Sequence, residues 1–171
     1  NLVAGLIPWL LFQEAVSRAA NVFIEQRHLL SQVPIPPVLF PLASVGSALV
    51  RHFLALLLFG GILWTVGIAP SFLWLGILAI LPILLVLTVG CSLLAACLTT
   101  SHRDIAPAVG AAMLPLFFTT PIIYPAHIVP DSLRVIMSLN PITPIVVAYR
   151  DLLVTGRAPL TDELMWSAAM G

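Results

Sequence analysis

From Phe53 to Ser101 the chain carries no Asp, Glu, Lys, Arg or His over 49 residues. A helix crosses the hydrocarbon core of a bilayer with about 20 mainly apolar residues. The stretch is too long for one crossing and suits two joined by a tight turn. Gly67-Ile68-Ala69-Pro70-Ser71 supplies the turn signal. Trp64, Phe72 and Trp74 flank it, and aromatic side chains favour the membrane–water interface. Spans are therefore expected over about 50–67 and 72–98, with Gly60, Gly61, Gly76 and Gly90 allowing close helix contacts. Composition agrees: 60% of residues are hydrophobic, 8% are charged, and mean hydropathy is +1.11. A soluble domain carries about 25% charged residues. A chain this apolar cannot cover itself with a polar surface, so a soluble globular fold and disorder are both excluded.

The basic residues are seven Arg and no Lys. That excludes a P-loop lysine, a Schiff-base lysine and a lysine patch for a nucleic-acid backbone. Net charge is zero, so no polyanionic partner is implied and no nucleic acid is expected. The chain begins at Asn1 without Met, shows no basic leader before a cleavage site, and stops at Met170-Gly171 in an apolar run. It is expected to be an internal piece of a longer membrane protein.

Two more spans are expected. Leu2 to about Ala20 forms one, with Pro8-Trp9 near one end and Glu14 and Arg18 four apart on one helical face. Ile105 to Ala126 is uncharged over 22 residues and holds Pro107, Pro115, Pro121 and Pro125. Pro107 suits a first turn. Pro115 should kink the helix, and Pro121 and Pro125 should end it, giving a span over about 105–124. Residues 21–41 mix Glu25, Arg27, His28 and Gln32 with Pro34, Pro36, Pro37 and Pro41. They read as an interfacial excursion, a short amphipathic helix and then irregular backbone. Residues 42–52 lead into the next span, with Arg51 and His52 near the interface. Residues 127–158 hold only runs too short to cross, broken by Asn140-Pro141, and read as a re-entrant region. Thr161-Asp162-Glu163 resembles a helix start, so a last span over about 161–171 is expected to be cut short. Arg27, Arg51 and Arg103, with Arg18 close by, place the connections around 21–52 and 99–104 on the cytoplasmic side.

Chemistry-bearing residues are few. Glu14 and Arg18 read either as a polar face towards a pore or partner, or as a pair reaching the cytoplasmic interface. Tyr149, Arg150 and Asp151 read either as a gate or binding rim, or as an interfacial helix with an aromatic anchor. His28, His52, His102 and His127 are scattered, and no H-E-x-x-H or Cys/His cluster is present, so no metal site is expected. Cys91 and Cys97 read as small packing residues. Ser47 with His52 lacks the G-x-S-x-G context of a hydrolase, and no G-x-G-x-x-G occurs. No catalytic equipment is visible, and the chain is not expected to be an enzyme.

An ordered set of strings remains. Gly5-Leu6-Ile7-Pro8-Trp9-Leu10-Leu11-Phe12-Gln13-Glu14-Ala15 opens the chain. Asp104-Ile105-Ala106-Pro107 precedes Leu116-Phe117-Phe118-Thr119-Thr120-Pro121-Ile122-Ile123-Tyr124-Pro125. Leu139-Asn140-Pro141 and Tyr149-Arg150-Asp151-Leu152-Leu153, then Gly156 and Pro159, close it. Over nearly the whole chain this set resembles the type-2 ABC transporter permeases that export polysaccharides such as O-antigen, capsule and teichoic acid. The resemblance implies an all-α integral-membrane bundle with six helices per subunit. This chain would be a fragment of it with about four full spans, a re-entrant region and a truncated last helix. It implies a homodimer enclosing a channel in the bacterial cytoplasmic membrane, and two separate ATPase subunits that bind ATP and Mg. This chain would hold no cofactor. A lipid-linked glycan would pass between the two permease copies. Glu14, Arg18, Phe117, Phe118, Tyr124, Tyr149, Arg150 and Asp151 would line the path or its gate, the alternative for Phe117, Phe118 and Tyr124 being ordinary lipid-facing or core packing. Arg27, His28, Gln32, Arg103 and Asp104 would face the ATPase. Segment 21–41 differs from the family pattern in lacking Lys and in carrying Gln32-Val33-Pro34-Ile35-Pro36-Pro37. Alternatives are the same fold exporting a drug or another lipid, an integral-membrane lipid- or glycan-transfer enzyme, and a secondary transporter.

Overall fold

In the computed structural model, residues 2–26, 28, 36–65, 67, 74, 76–122, 137 and 140–155 are described. Among them every regular element is helical. The order is α1 (Leu2–Glu25), α2 (Leu39–Thr65), α3 (Ile77–Ser101), α4 (Ile105–Thr119) and α5 (Ile142–Arg150). A wider π-helical turn, Asp151–Thr155, continues α5.

α1 is the centre of the bundle. It packs most extensively against α2 and α3, and also against α4 and α5. Its buried positions include Ala4, Gly5, Ala15, Ala19 and Ala20, and residues this small let neighbouring backbones approach. A Cβ on Gly5 would meet Val146 Cγ1 at 3.3 Å and Ile122 Cα at 3.6 Å. α3 turns Leu84, Leu87, Thr88, Ser92, Ala95, Ala96 and Thr99 inward. The hydroxyls of Thr88 and Thr99 bond back to Leu84 and Ala95 carbonyls at 2.6 and 2.8 Å, which lets polar groups sit in an apolar core.

Two contacts fix the direction of α4. Gly5 lies against Ile122, and the Trp9 and Phe117 rings are 5.6 Å apart. α4 therefore runs antiparallel to α1. The turn at residues 102–104 thus shares one end of the bundle with the α1–α2 connection, where the Phe23 and Phe40 rings lie 6.5 Å apart. α5 packs towards the other end, with Val146 on Gly5 and Leu152 against Gly76.

Several boundaries differ from the sequence-based expectation. α1 continues past Ala20 to Glu25; no proline interrupts it there, and Asn21 Nδ2 donates to the Ser17 carbonyl at 2.9 Å. Arg18 is therefore not at a helix end. α2 begins at Leu39 rather than near 50, because Pro41 falls in a first turn, where its missing N–H costs nothing. Arg51 and His52 consequently lie midway along a helix instead of near its start. The segment assigned to 21–41 is helical at both margins, and Gln32 and most of its centre fall outside the described residues. α4 ends at Thr119, short of 124, with Thr120 extended just before Pro121. Pro115 lies inside α4 without ending it.

Among the described residues two helices, α2 and α3, are long and apolar enough to cross a membrane; about four spans are expected from the sequence. α1 has the length but carries Gln13, Glu14, Ser17, Arg18 and Asn21. α4, with 15 residues, is apolar but reaches only about 22 Å at ~1.5 Å per residue. Gly67 has φ +84°, a conformation that costs a side-chain-bearing residue energy, and its amide donates to the Trp64 carbonyl at 3.1 Å. It is the first residue of the expected α2–α3 turn, and residues 68–71 of that turn lie outside the described residues. Residues 123–136, 138–139 and 156–171 lie outside the described residues. The expected start of a last helix at 161 lies there, as does most of the expected re-entrant region.

Candidate functional site

α1 is buried on most of its circumference and exposed along one narrow strip. The middle of that strip is polar, with Gln13, Glu14, Ser17, Arg18 and Asn21 outside the core. Residues at i, i+4 and i+8 share a helix face, so Gln13, Ser17 and Asn21 form one row, and Glu14 with Arg18 the row beside it. The adjoining face of α2 presents Ser47 and Arg51.

Glu14 holds this surface together. Arg51 binds it bidentately, Nε to Oε2 at 2.7 Å and Nη2 to Oε1 at 2.6 Å. Arg18 Nη1 approaches Oε1 at 3.4 Å. Arg51 Nη2 also donates to Ser47 Oγ at 3.3 Å. All three charged side chains remain partly open, at 35% for Glu14, 55% for Arg18 and 45% for Arg51. The expected Glu14–Arg18 pair is present, but the shorter contact is with Arg51. Residues 37 apart in sequence carry no periodic signal, so Arg51 could have been found only through its lone charge in an apolar helix.

A second polar group is wholly inside. Tyr149 is 0% exposed, and its hydroxyl is 3.2 Å from His52 Nε2. His52 Nδ1 is 3.4 Å from the Ile7 carbonyl. If Nδ1 donates to that carbonyl, Nε2 accepts from the tyrosine, so neutral histidine satisfies both ends. α1, α2 and α5 meet at this point. Tyr149 thus faces the chain's own core and not a rim. Phe117 is likewise packed, against Trp9 and Phe118, whereas Phe118 is exposed.

The far end of α4 is latched to α5. Asn140 Nδ2 donates to Thr120 Oγ1 at 3.0 Å and Thr119 Oγ1 at 3.3 Å. Asn140 Oδ1 accepts from the Ile142 amide at 3.2 Å, one of the unpaired donors of a helix start. Arg150 Nη1 donates to the Pro121 carbonyl at 3.3 Å. Arg150 and Asp151 are partly buried beside this latch. Tyr124 falls outside the described residues.

At the opposite end, His28, Arg103 and Asp104 are exposed, while Arg27 and Gln32 fall outside the described residues. No group of three His, Cys, Asp or Glu able to hold a metal occurs among the described residues.

A family model described as ABC-2 type transporter matches residues 1–154. The chain is 25% identical over 156 residues to an O-antigen export system permease protein RfbA of Klebsiella pneumoniae, covering 91% of this chain and 60% of that protein. It is 28% identical over 171 residues to a protein of the same name from Myxococcus xanthus, covering 99% of this chain and 66% of that one. The chain thus spans about 60% of the length of the Klebsiella relative.

Proposed function

The chain belongs to the ABC-2 type transporter family, and from that premise we propose that it is the membrane-spanning part of an ATP-driven exporter of a polysaccharide or lipid-linked glycan. The observation that carries the reading is the match over residues 1–154, joined to relatives named as O-antigen export permeases. The permease works in the bacterial cytoplasmic membrane as a homodimer, with two separate ATPase subunits that bind ATP and Mg. It hydrolyses nothing itself.

The architecture supports a division of labour. His28, Arg103 and Asp104 lie at one end of the bundle with the connection that holds Arg27 and Gln32, and this end receives the ATPase. Glu14, Arg18 and Arg51 face outward from the chain's own core, as a surface shared with a second copy or with substrate must. Charged residues within membrane helices turn to protein or to a wet cavity rather than to lipid tails. Phe118 is exposed and can line a path on which sugar rings stack. Tyr149 and Phe117, being packed, act by holding shape. Arg150 and Asp151 sit where α5 closes over the far end. A step at the ATPase reaches that end only if both packings are accessible and ATP binds them unequally.

The test is a pull-down from solubilised native membranes with the full-length protein, residues 27–37 intact or altered. Recovery of a Walker-motif ATPase, lost on altering that segment, is the expected result. Failure of the intact, folded protein to bring down any ATPase would overturn the reading and shift weight to a membrane transferase.

A further inference from the structure

We propose that Arg18 and Arg51, gathered by Glu14, form a binding site for the phosphate of a lipid headgroup. The inference rests on reading the chain as a membrane permease.

The charges do not cancel. Two guanidiniums share one carboxylate, which leaves one positive charge. Arg51 uses Nε and Nη2 on Glu14, and Arg18 uses only Nη1. Arg51 Nη1 and Arg18 Nε and Nη2 therefore keep donors without a partner among the described residues. These are planar, charged donors on half-open side chains, the geometry that suits a phosphate.

Depth selects a lipid. α1 and α4 are antiparallel, with Gly5 beside Ile122 and Trp9 beside Phe117. On that register Glu14 stands level with residues 112–113, about 13 Å from the polar 102–104 turn at ~1.5 Å per residue. Arg18 stands about 7 Å from the turn by the same measure. Half of a hydrocarbon core is about 15 Å, so the cluster lies within one leaflet. Long arginine side chains reach from there to the headgroup level. The flanking surface towards the membrane centre is apolar and exposed: Leu10 at 52%, Leu54 at 57% and Leu58 at 61%. A free anion gains nothing from that wall, whereas an acyl or polyprenyl chain lies along it.

The full-length permease with its partner ATPase, in phosphatidylcholine nanodiscs containing a small fraction of dioleoyl phosphatidic acid, provides the test. Native mass spectrometry reads the phosphatidic acid retained. Arg18→Gln with Arg51→Gln should lower retention at least about tenfold, as expected for lost charge-assisted hydrogen bonds. Glu14→Gln should raise it, because the counter-charge is removed while both arginines stay. A purely structural ion pair would move both variants the same way. Unchanged retention in the double Arg variant, or loss in Glu14→Gln, overturns the site. Displacement of the lipid by millimolar inorganic phosphate overturns the choice of a lipid. No preferential retention of phosphatidic acid by the parent protein, with ATPase still bound, sinks the site alone. Absence of ATPase with preferential retention by the parent intact sinks the transporter reading and leaves the site standing.

Discussion

A hydroxyl and an imidazole set one constraint at the scale of single residues. Tyr149→Phe leaves His52 Nε2 without its partner inside the bundle. Hydrogen bonds between membrane helices contribute about 0.6–1.7 kcal/mol. The expected loss is of that size, and a double-mutant cycle with His52→Leu should return a coupling of about 1 kcal/mol in thermal melts of the detergent-solubilised protein. Gly5→Leu should cost more. Its side chain would enter space already filled by Val146 and Ile122, and overpacking costs about 1–3 kcal/mol. The Glu14–Arg18 pair was legible in the sequence because i, i+4 is a local rule. The roles of Arg51 and His52 were not, since their partners Glu14 and Tyr149 are distant in sequence. Hydropathy treats every such polar residue alike and places it at the nearest interface. Only the packing of α2 against α1 and α5 reveals that these two meet partners mid-helix.

Helix ends decide the behaviour of whole elements. α4 stops at Thr119, and Asn140 takes over the hydroxyls at its end. Asn140→Ala should free this end, so backbone amides of residues 116–122 should exchange hydrogen faster than in the parent while those of α3 stay unchanged. Equal protection in both proteins would show that Arg150 and packing suffice. α5 is only nine residues long, about 14 Å at ~1.5 Å per residue, and most of it is buried. That meets the condition under which short helices are tolerated at membrane depth. The sequence announced α3 plainly, because an uncharged run is a strong local signal, and Gly67 has the positive φ that its turn motif suggested. The start of α2 stayed hidden, since prolines at 34, 36, 37 and 41 suggested irregular backbone. Pro41 proved compatible with a first turn, a choice set by the helix-forming residues on its C-terminal side.

For the molecule as a whole, burial is very uneven. Leu57 is 74% exposed and Val50 69% on α2, while α1 is enclosed by four helices. Apolar side chains this open need a lipid or protein neighbour. Leu57→Arg should therefore impair membrane insertion, by about 2.5–3.5 kcal/mol if the site lies near the bilayer centre, seen as protein extracted by alkaline carbonate. The same asymmetry bears on how the chain can change over generations. Along the open face of α2, one greasy side chain does as well as another, so mutations there should accumulate freely within an apolar alphabet. Along the enclosed face of α1, positions such as Ala4, Gly5, Ala15, Ala19 and Ala20 admit little beyond residues the size of alanine. Lineages descended from one ancestor should diverge quickly on the first surface and hardly at all on the second.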